Sequence, residues 1–228
     1  MIKLSGITKK FINGNNEFCA LNDINLIINN NEFVSIVGKS GSGKTTLLNI
    51  IGTLDNFTSG SLDIDGLQIE NLTNDKISEF RNKKLGFIFQ NFYLEPEYTV
   101  YENIELPLII GGSFGHKNEQ IITEIAKKVD IESKLKNKVK TLSGGEQQRV
   151  AIARAIVKSP EIILADEPCG NLDMENSAKI MAILKTLHNE GKTVILVTHD
   201  EQDAKIAQRI ITLQDGKIIS DNNLSGNN

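Results

Sequence analysis

Few cysteines, no long apolar run and no excess of basic charge mark this chain of 228 residues. Its two cysteines, Cys19 and Cys169, have no metal-ligand spacing and fit a reducing compartment. Both are expected to be small packed residues rather than a disulfide pair. No stretch approaches the roughly 20 consecutive apolar residues of a membrane span, and residues 1–5 lack the apolar core of a signal peptide. The chain is therefore expected in the cytoplasm. Lys and Arg number 25 against 29 Asp and Glu, a net charge of −4 with the signs dispersed. That balance argues against a nucleic-acid binder, which would carry a basic face. There is no internal repeat and no low-complexity linker, and the length suffices for one sizeable core with room for a subdomain.

What is present begins at residues 38–45, Gly38, Lys39, Ser40, Gly41, Ser42, Gly43, Lys44 and Thr45, followed by Thr46. The pattern G-x-x-x-x-G-K-[ST] is a phosphate-binding loop. Its glycines let successive backbone N–H groups turn inward around phosphate oxygens, its lysine reaches the β/γ-phosphates, and its hydroxyl residue holds Mg²⁺. The apolar run 32–37 before it has strand length, and 46–51 after it has helical spacing up to Gly52. Strand, glycine-rich turn and helix together aim a helix N-terminus at an anion.

The rest of the chain alternates. Residues 2–11 and 18–28 are predicted as antiparallel strands around a turn at 13–16, and 60–69 as a hairpin turning at Asp65-Gly66. A short strand at 85–89 ends at Gln90. Pro107 and Gly111-Gly112 are expected to break the next apolar stretch. Helices are predicted at 118–129, 144–158 and 176–189, strands at 162–165 and 193–197, and a hairpin at 210–220, with a frayed polar tail from Asp221. This order predicts an α/β fold: a mainly parallel core sheet, an antiparallel β subdomain and an α-helical subdomain over about 91–159, with 1–90 and 160–220 forming the core and 221–228 a tail.

Two further strings carry chemistry. The strand 162–165 ends in Asp166 and Glu167, and a buried parallel strand delivers its last residues to the sheet edge where ligands bind. Asp166 is placed to hold Mg²⁺ and Glu167 to polarise an attacking water. Residues 142–149 read Leu-Ser-Gly-Gly-Glu-Gln-Gln-Arg. Ser143 and Glu146 make a capping box opening a helix. Gly144-Gly145 costs stability inside a first helical turn and makes sense if something must approach that backbone closely.

With the phosphate loop, these strings resemble the ATP-binding cassette (ABC) ATPases, over about residues 2–220 and in family order. The resemblance implies a P-loop NTPase fold in which Ser143, Gly144, Gly145 and Glu146 form the signature that meets ATP held by a second copy. It implies that Gln90 contacts Mg²⁺ and water, that His199 touches the γ-phosphate, that Asp173 couples the two sites, and that Phe11 stacks on adenine. Lys44, Gln90, Glu167 and His199 would be the catalytic set, Thr45, Gln90 and Asp166 the metal set, and ATP with Mg²⁺ the ligands. His116 and His188 have no motif context and are expected to be structural or surface residues. Cys169 stands where threonine is usual, and Lys39 adds a charge within the loop.

Residues 86–92, 102–108 and 170–173 are similar to a subgroup containing the ATPases of macrolide exporters, lipoprotein-release machines, bacitracin-type peptide exporters and a cell-division ATPase. The implied partners are a second copy in the ATP-bound state and a separate transmembrane permease, with no nucleic acid. The implied place is the inner face of the membrane. Mechanotransmission in cell-wall or division control is the alternative within the subgroup. A DNA-repair-type ATPase would need coiled-coil arms, and no sustained heptads occur. A GTPase would need Asn-Lys-x-Asp, and none is found. Residues 91–98 mix aromatic and acidic side chains and suit a groove for a short helix of the membrane partner.

Overall fold

The computed structural model describes residues 1–14 and 16–224. Strands β1 (Ile2–Asn13) and β2 (Asn16–Ile28) form a long antiparallel hairpin. Of the turn expected at 13–16, Asn15 lies outside the described residues. β3 (Phe33–Val37) runs through the glycine loop into α1 (Lys44–Ile51). β4 (Ser59–Ile64) and β5 (Leu67–Gln68) pair across Asp65 and Gly66, both left-handed at φ 53° and 83°. Next come α2 (Asn74–Lys84), β6 (Leu85–Phe89), α3 (Val100–Ile110), α4 (His116–Lys128) and α5 (Gly144–Ile156). The chain closes with β7 (Ile162–Asp166), α6 (Met174–Asn189), β8 (Thr193–Thr198), the short α7 (Glu201–Ala204), β9 (Arg209–Gln214) and β10 (Lys217–Asn223).

The core sheet has the order β10-β9-β3-β8-β7-β6 and the second sheet the order β2-β1-β4-β5. The pairs β6/β7, β7/β8, β8/β3 and β3/β9 are parallel, and β10 is antiparallel at the edge. The parallel strands are buried on both faces, so they read as continuous apolar runs rather than alternating ones. Their alternate residues feed two cores. Ile163, Ala165, Val194 and Leu196 face the layer built from α3 to α6, whereas Ile162, Leu164, Ile195 and Val197 pack with α1 and the antiparallel sheet.

Register fixes where function can sit. Val37 pairs with Thr198, Asp166 with Val197 and Phe89 with Asp166. The ends of β3, β6, β7 and β8 are thus level, and Gly38, Gln90, Glu167 and His199 all follow at one sheet edge.

The structure corrects several expectations. Pro107 does not break the stretch but lies inside α3. A proline within a helix costs about 3 kcal/mol. Val100, Ile104 and Leu108 are buried on that helix at roughly 1.5–3 kcal/mol each, and the Thr99–Glu102 capping box starts it, so packing wins. Helix α2 left no apolar stripe to read, since Phe80 is its one buried residue; Thr73 caps its start. The tail does not begin at Asp221, because Asp221, Asn222 and Asn223 pair with Ile211, Ile210 and Arg209, and both Asp221 carboxylate oxygens accept from Arg209. Residues 225–228 lie outside the described residues. Both cysteines are free, but Cys19 is exposed rather than packed. His116 is exposed, and the His188 ring lies 5.7 Å from that of Phe33.

Candidate nucleotide site

The glycine loop and α1 form the floor of the site. Gly43 is the N-cap of α1 at φ 101°, and a Cβ there would meet the Ala20 carbonyl at 2.5 Å, so only glycine fits. Lys44 is buried and curls back, its Nζ donating to the Gly38 carbonyl at 2.7 Å and the Lys39 carbonyl at 3.0 Å. The loop therefore positions the ammonium beside the N-terminus of α1, where backbone N–H groups and the helix dipole favour an anion.

The strand ends supply the other side. Thr45 Oγ1 donates to Asp166 Oδ1 at 3.2 Å. Burial pushes the Asp166 carboxyl above its ordinary range, opposed by the Thr45 hydroxyl and reinforced by the neighbouring Glu167. Glu167 has left-handed backbone at φ 48°, a conformation costing on the order of 1–3 kcal/mol for a non-glycine residue. It is held by its N–H donating to the Val197 carbonyl at 2.9 Å and by the contact of its carboxylate with His199 Nδ1. The neutral Gln148 side chain, fully buried on α5, donates to the carbonyls of Phe89 at 3.3 Å and Pro168 at 2.7 Å. It thereby ties the strand ends that precede Gln90 and follow Glu167.

These groups surround a cleft of about 620 Å³ lined by Phe11, residues 40–46, Gln90, Asp166, Glu167 and His199. Gly38 and Lys39 take part from beneath, through the carbonyls that hold Lys44. Phe18 and Ala20 also line the cleft, and sequence reasoning missed both. Phe18 pairs directly with Phe11 across the β1–β2 hairpin, and both rings are largely exposed. Counting outward from the turn at 13–16 matches 11 with 18, so the signal was present in the spacing. Lys9 Nζ lies 4.7 Å from the Phe11 ring centroid, an arrangement that stabilises the ring's position.

The signature residues are elsewhere. Ser143, Gly144, Gly145, Glu146 and Asp173 do not line this cleft. Ser143 and Glu146 form the expected capping box, with Ser143 N–H donating to Glu146 Oε2 at 2.8 Å, and that bond holds the Glu146 carboxyl below its usual range. Asp173 caps α6 and is exposed. The oxygen-only pair Thr45 and Asp166 suits a hard cation such as Mg²⁺, which is commonly bound by one or two protein groups plus phosphates and water. No cluster of three or more His, Cys, Asp or Glu able to hold a metal occurs among the described residues.

Known proteins resemble this chain over most of its length. The ABC transporter family model matches residues 21–170. An ABC transporter ATP-binding protein of Methanocaldococcus jannaschii, MJ0796, is 47% identical over 99% of this chain and 98% of its own length. A probable syringafactin export ATP-binding/permease protein of Pseudomonas syringae is 45% identical over 97% of this chain but only 34% of its own length. The chain thus spans about a third of the exporter proteins it matches. A solved dimeric structure of MJ0796 superposes with a TM-score of 0.93 at 46% identity, covering 100% of both chains. A second, described as its post-hydrolysis state bound to ADP and Pi, also gives 0.93, at 45% identity.

Proposed function

This chain is an ATP-binding cassette of the ABC transporter family, and on that premise we propose that it hydrolyses ATP as a homodimer to drive a separate membrane permease. The observation that carries the reading is the convergence of Lys44, Asp166, Glu167 and His199 on one cleft at the ends of four aligned strands. The export relatives combine ATP-binding and permease parts in one name. No described helix of this chain is long and apolar enough to cross a membrane. The chain would sit on the inner face of the membrane against the transmembrane permease. Export of a peptide, lipid-linked or drug substrate is the work we propose, beside relatives named for syringafactin and macrolide export.

In the mechanism we infer, adenine lies against Phe11 and the triphosphate wraps the N-terminus of α1. Lys44 turns from its carbonyl partners toward the β/γ-phosphates. Thr45 and Asp166 would hold Mg²⁺, which would supply neutralisation of charge on the transferred phosphoryl group. Glu167, oriented by His199, accepts a hydrogen bond from the attacking water and aligns it for in-line displacement, with Gln90 beside it. Such positioned base catalysis contributes typically about 10²–10⁴ in rate. Ser143, Gly144 and Gly145 cap the γ-phosphate of the second copy, which accounts for their absence from the chain's own cleft.

Two variants test this reading together. Lys44→Ala should lose MgATP affinity, because a charge-assisted contact to phosphate disappears. Ser143→Arg should keep monomer affinity but block ATP-dependent pairing and turnover. Unchanged affinity in the first, or lost monomer affinity in the second, would reject the arrangement.

A further inference from the structure

Gly145, the second glycine of the signature turn, has a reason to be glycine that lies inside the chain. A Cβ built on it would meet Asn176 Oδ1 at 2.2 Å and Cγ at 2.3 Å, whereas one on Gly144 finds nothing nearer than Leu172 Cδ2 at 3.7 Å. Space inside the chain therefore leaves the reason for Gly144 to an outside group, as expected, but gives Gly145 a reason of its own. Asn176 cannot simply swing away. Its backbone N–H and Nδ2 donate to the two carboxylate oxygens of Asp173, each at 2.8 Å, and its Oδ1 accepts from Arg149 at 3.4 Å. Arg149 is itself buried, and its Nε has no partner among the described residues. Losing the Asn176 carbonyl would leave that guanidinium with still less, and a buried unpaired donor is costly.

One amide thus touches three things: the backbone of the signature turn, the signature helix through Arg149, and the Asp173 loop. Asn176 does not line the nucleotide cleft. We propose that Asn176 is a positioning residue that locks the signature turn to the Asp173 loop, so that both segments meet a second copy of the chain as one rigid face. This rests on the homodimeric ATPase reading. A cap of α6 alone is a narrower role, because Asp173 already accepts the N–H of Asn176 whatever side chain follows.

The test is a double-mutant cycle on the full chain. Wild type, Gly145→Ala, Asn176→Ala and the double variant are compared for kcat, KM, monomer MgATP affinity and thermal unfolding. Pairing on gel filtration is read in a Glu167→Gln background. Asn176→Ala should lower kcat about tenfold while monomer affinity changes less than about twofold, the split expected when alignment and not ground-state binding is lost. Gly145→Ala should lose about a hundredfold, and adding Asn176→Ala should return it to the level of Asn176→Ala alone, since residues in contact are non-additive. Wild-type kcat and pairing in Asn176→Ala would overturn the proposal. So would a double variant no better than Gly145→Ala, which would mean that Gly145 must be small for something outside the chain. A thermal shift common to every variant, with no rescue, would reduce Asn176 to a stability role and also overturn it. A wild-type chain that neither hydrolyses ATP nor pairs as Glu167→Gln would bring down the ATPase reading and this proposal with it. An active, pairing wild type without rescue overturns the proposal alone.

Discussion

His199 Nδ1 is hydrogen-bonded to the Glu167 carboxylate, so the residue after β8 holds the residue after β7. The pairing of Asp166 with Val197 brings the two strand ends level, and left-handed backbone at Glu167 turns its side chain out of the sheet's run. Glu167→Gln retains an oxygen that can accept from His199 but loses the charge that polarises water. It should bind MgATP normally, lose about 10²–10⁴ in turnover and accumulate as an ATP-bound dimer. His199→Ala should lose less, about tenfold or more, because the carboxylate persists without its orienting partner. Steady-state turnover and gel filtration with MgATP check both; wild-type turnover in Glu167→Gln would remove Glu167 from the chemistry.

Phe18 stands opposite Phe11 on the same hairpin and lines the same cleft. If the base sits between strand and loop, both rings contribute to its burial. An aromatic contact is worth about 0.5–1.5 kcal/mol, so Phe18→Ala should raise KM for ATP about two- to tenfold with kcat unchanged. Phe11→Ala should do at least as much, and Phe11→Tyr should be neutral because the hydroxyl is not needed. An unchanged KM in Phe18→Ala would leave Phe11 alone at the base.

The contrast between Phe11 and Phe18 marks what the chain made legible. Phosphate loop and strand-end carboxylates could be read because each motif is contiguous and its strand is a continuous buried run. His199, a lone histidine after a strand, gains its role only from resemblance to the family once the other motifs are in place. Phe18 escaped because its role arises from cross-strand register, which a linear scan does not display. Asn176 escaped for the same reason: its partners Gly145 and Arg149 lie on α5, far away in sequence, and Asp173 is the loop residue that caps α6. Helix α2 was missed because only Phe80 is buried on it, leaving no period to detect. Pro107 stays inside α3 because burial of Val100, Ile104 and Leu108 outweighs local propensity, a balance the linear sequence does not display.

The two cysteines should differ sharply in reactivity. Burial, with the Asp203 carboxylate beside it, pushes the Cys169 thiol up to about 12. At pH 8 a thiol of that pKa is thiolate in only about one molecule in 10⁴, and the thiolate is the nucleophile. Cys19 is exposed. Iodoacetamide at pH 8 should therefore label the native chain once, at Cys19, and Cys19→Ser should abolish labelling until denaturant is added. Raising the pH toward 10 should increase Cys169 labelling, since thiolate forms as pH approaches the raised value. Rapid native labelling of Cys169 at pH 8 would show that its thiol is neither buried nor suppressed.

The segment 91–98 is bound to the signature-bearing arm on both sides, which sharpens how docking and chemistry can be separated. Val139 N–H donates to the Tyr98 carbonyl at 3.0 Å and Lys140 N–H to the Pro96 carbonyl at 3.1 Å. Arg154 on the signature helix donates to the carbonyls of Phe92 and Tyr93. Glu97 pairs with Lys138 and Lys140, so Glu97→Lys would place a third cation just ahead of Ser143 and disturb the signature as well as any docking surface. Tyr98 is the cleaner probe, its ring being exposed near the start of α3. An exposed tyrosine that anchors a partner helix typically contributes about 2 kcal/mol or more to association, and nothing places it against the nucleotide. Tyr98→Ala should therefore keep basal ATPase of the purified chain within about twofold. Recovery of the permease subunit with it from native membranes should fall about tenfold or more. Full co-purification and an intact transport phenotype in Tyr98→Ala would place the docking surface away from this segment, while loss of basal ATPase would mean that Tyr98 supports the signature arm through its backbone neighbours instead.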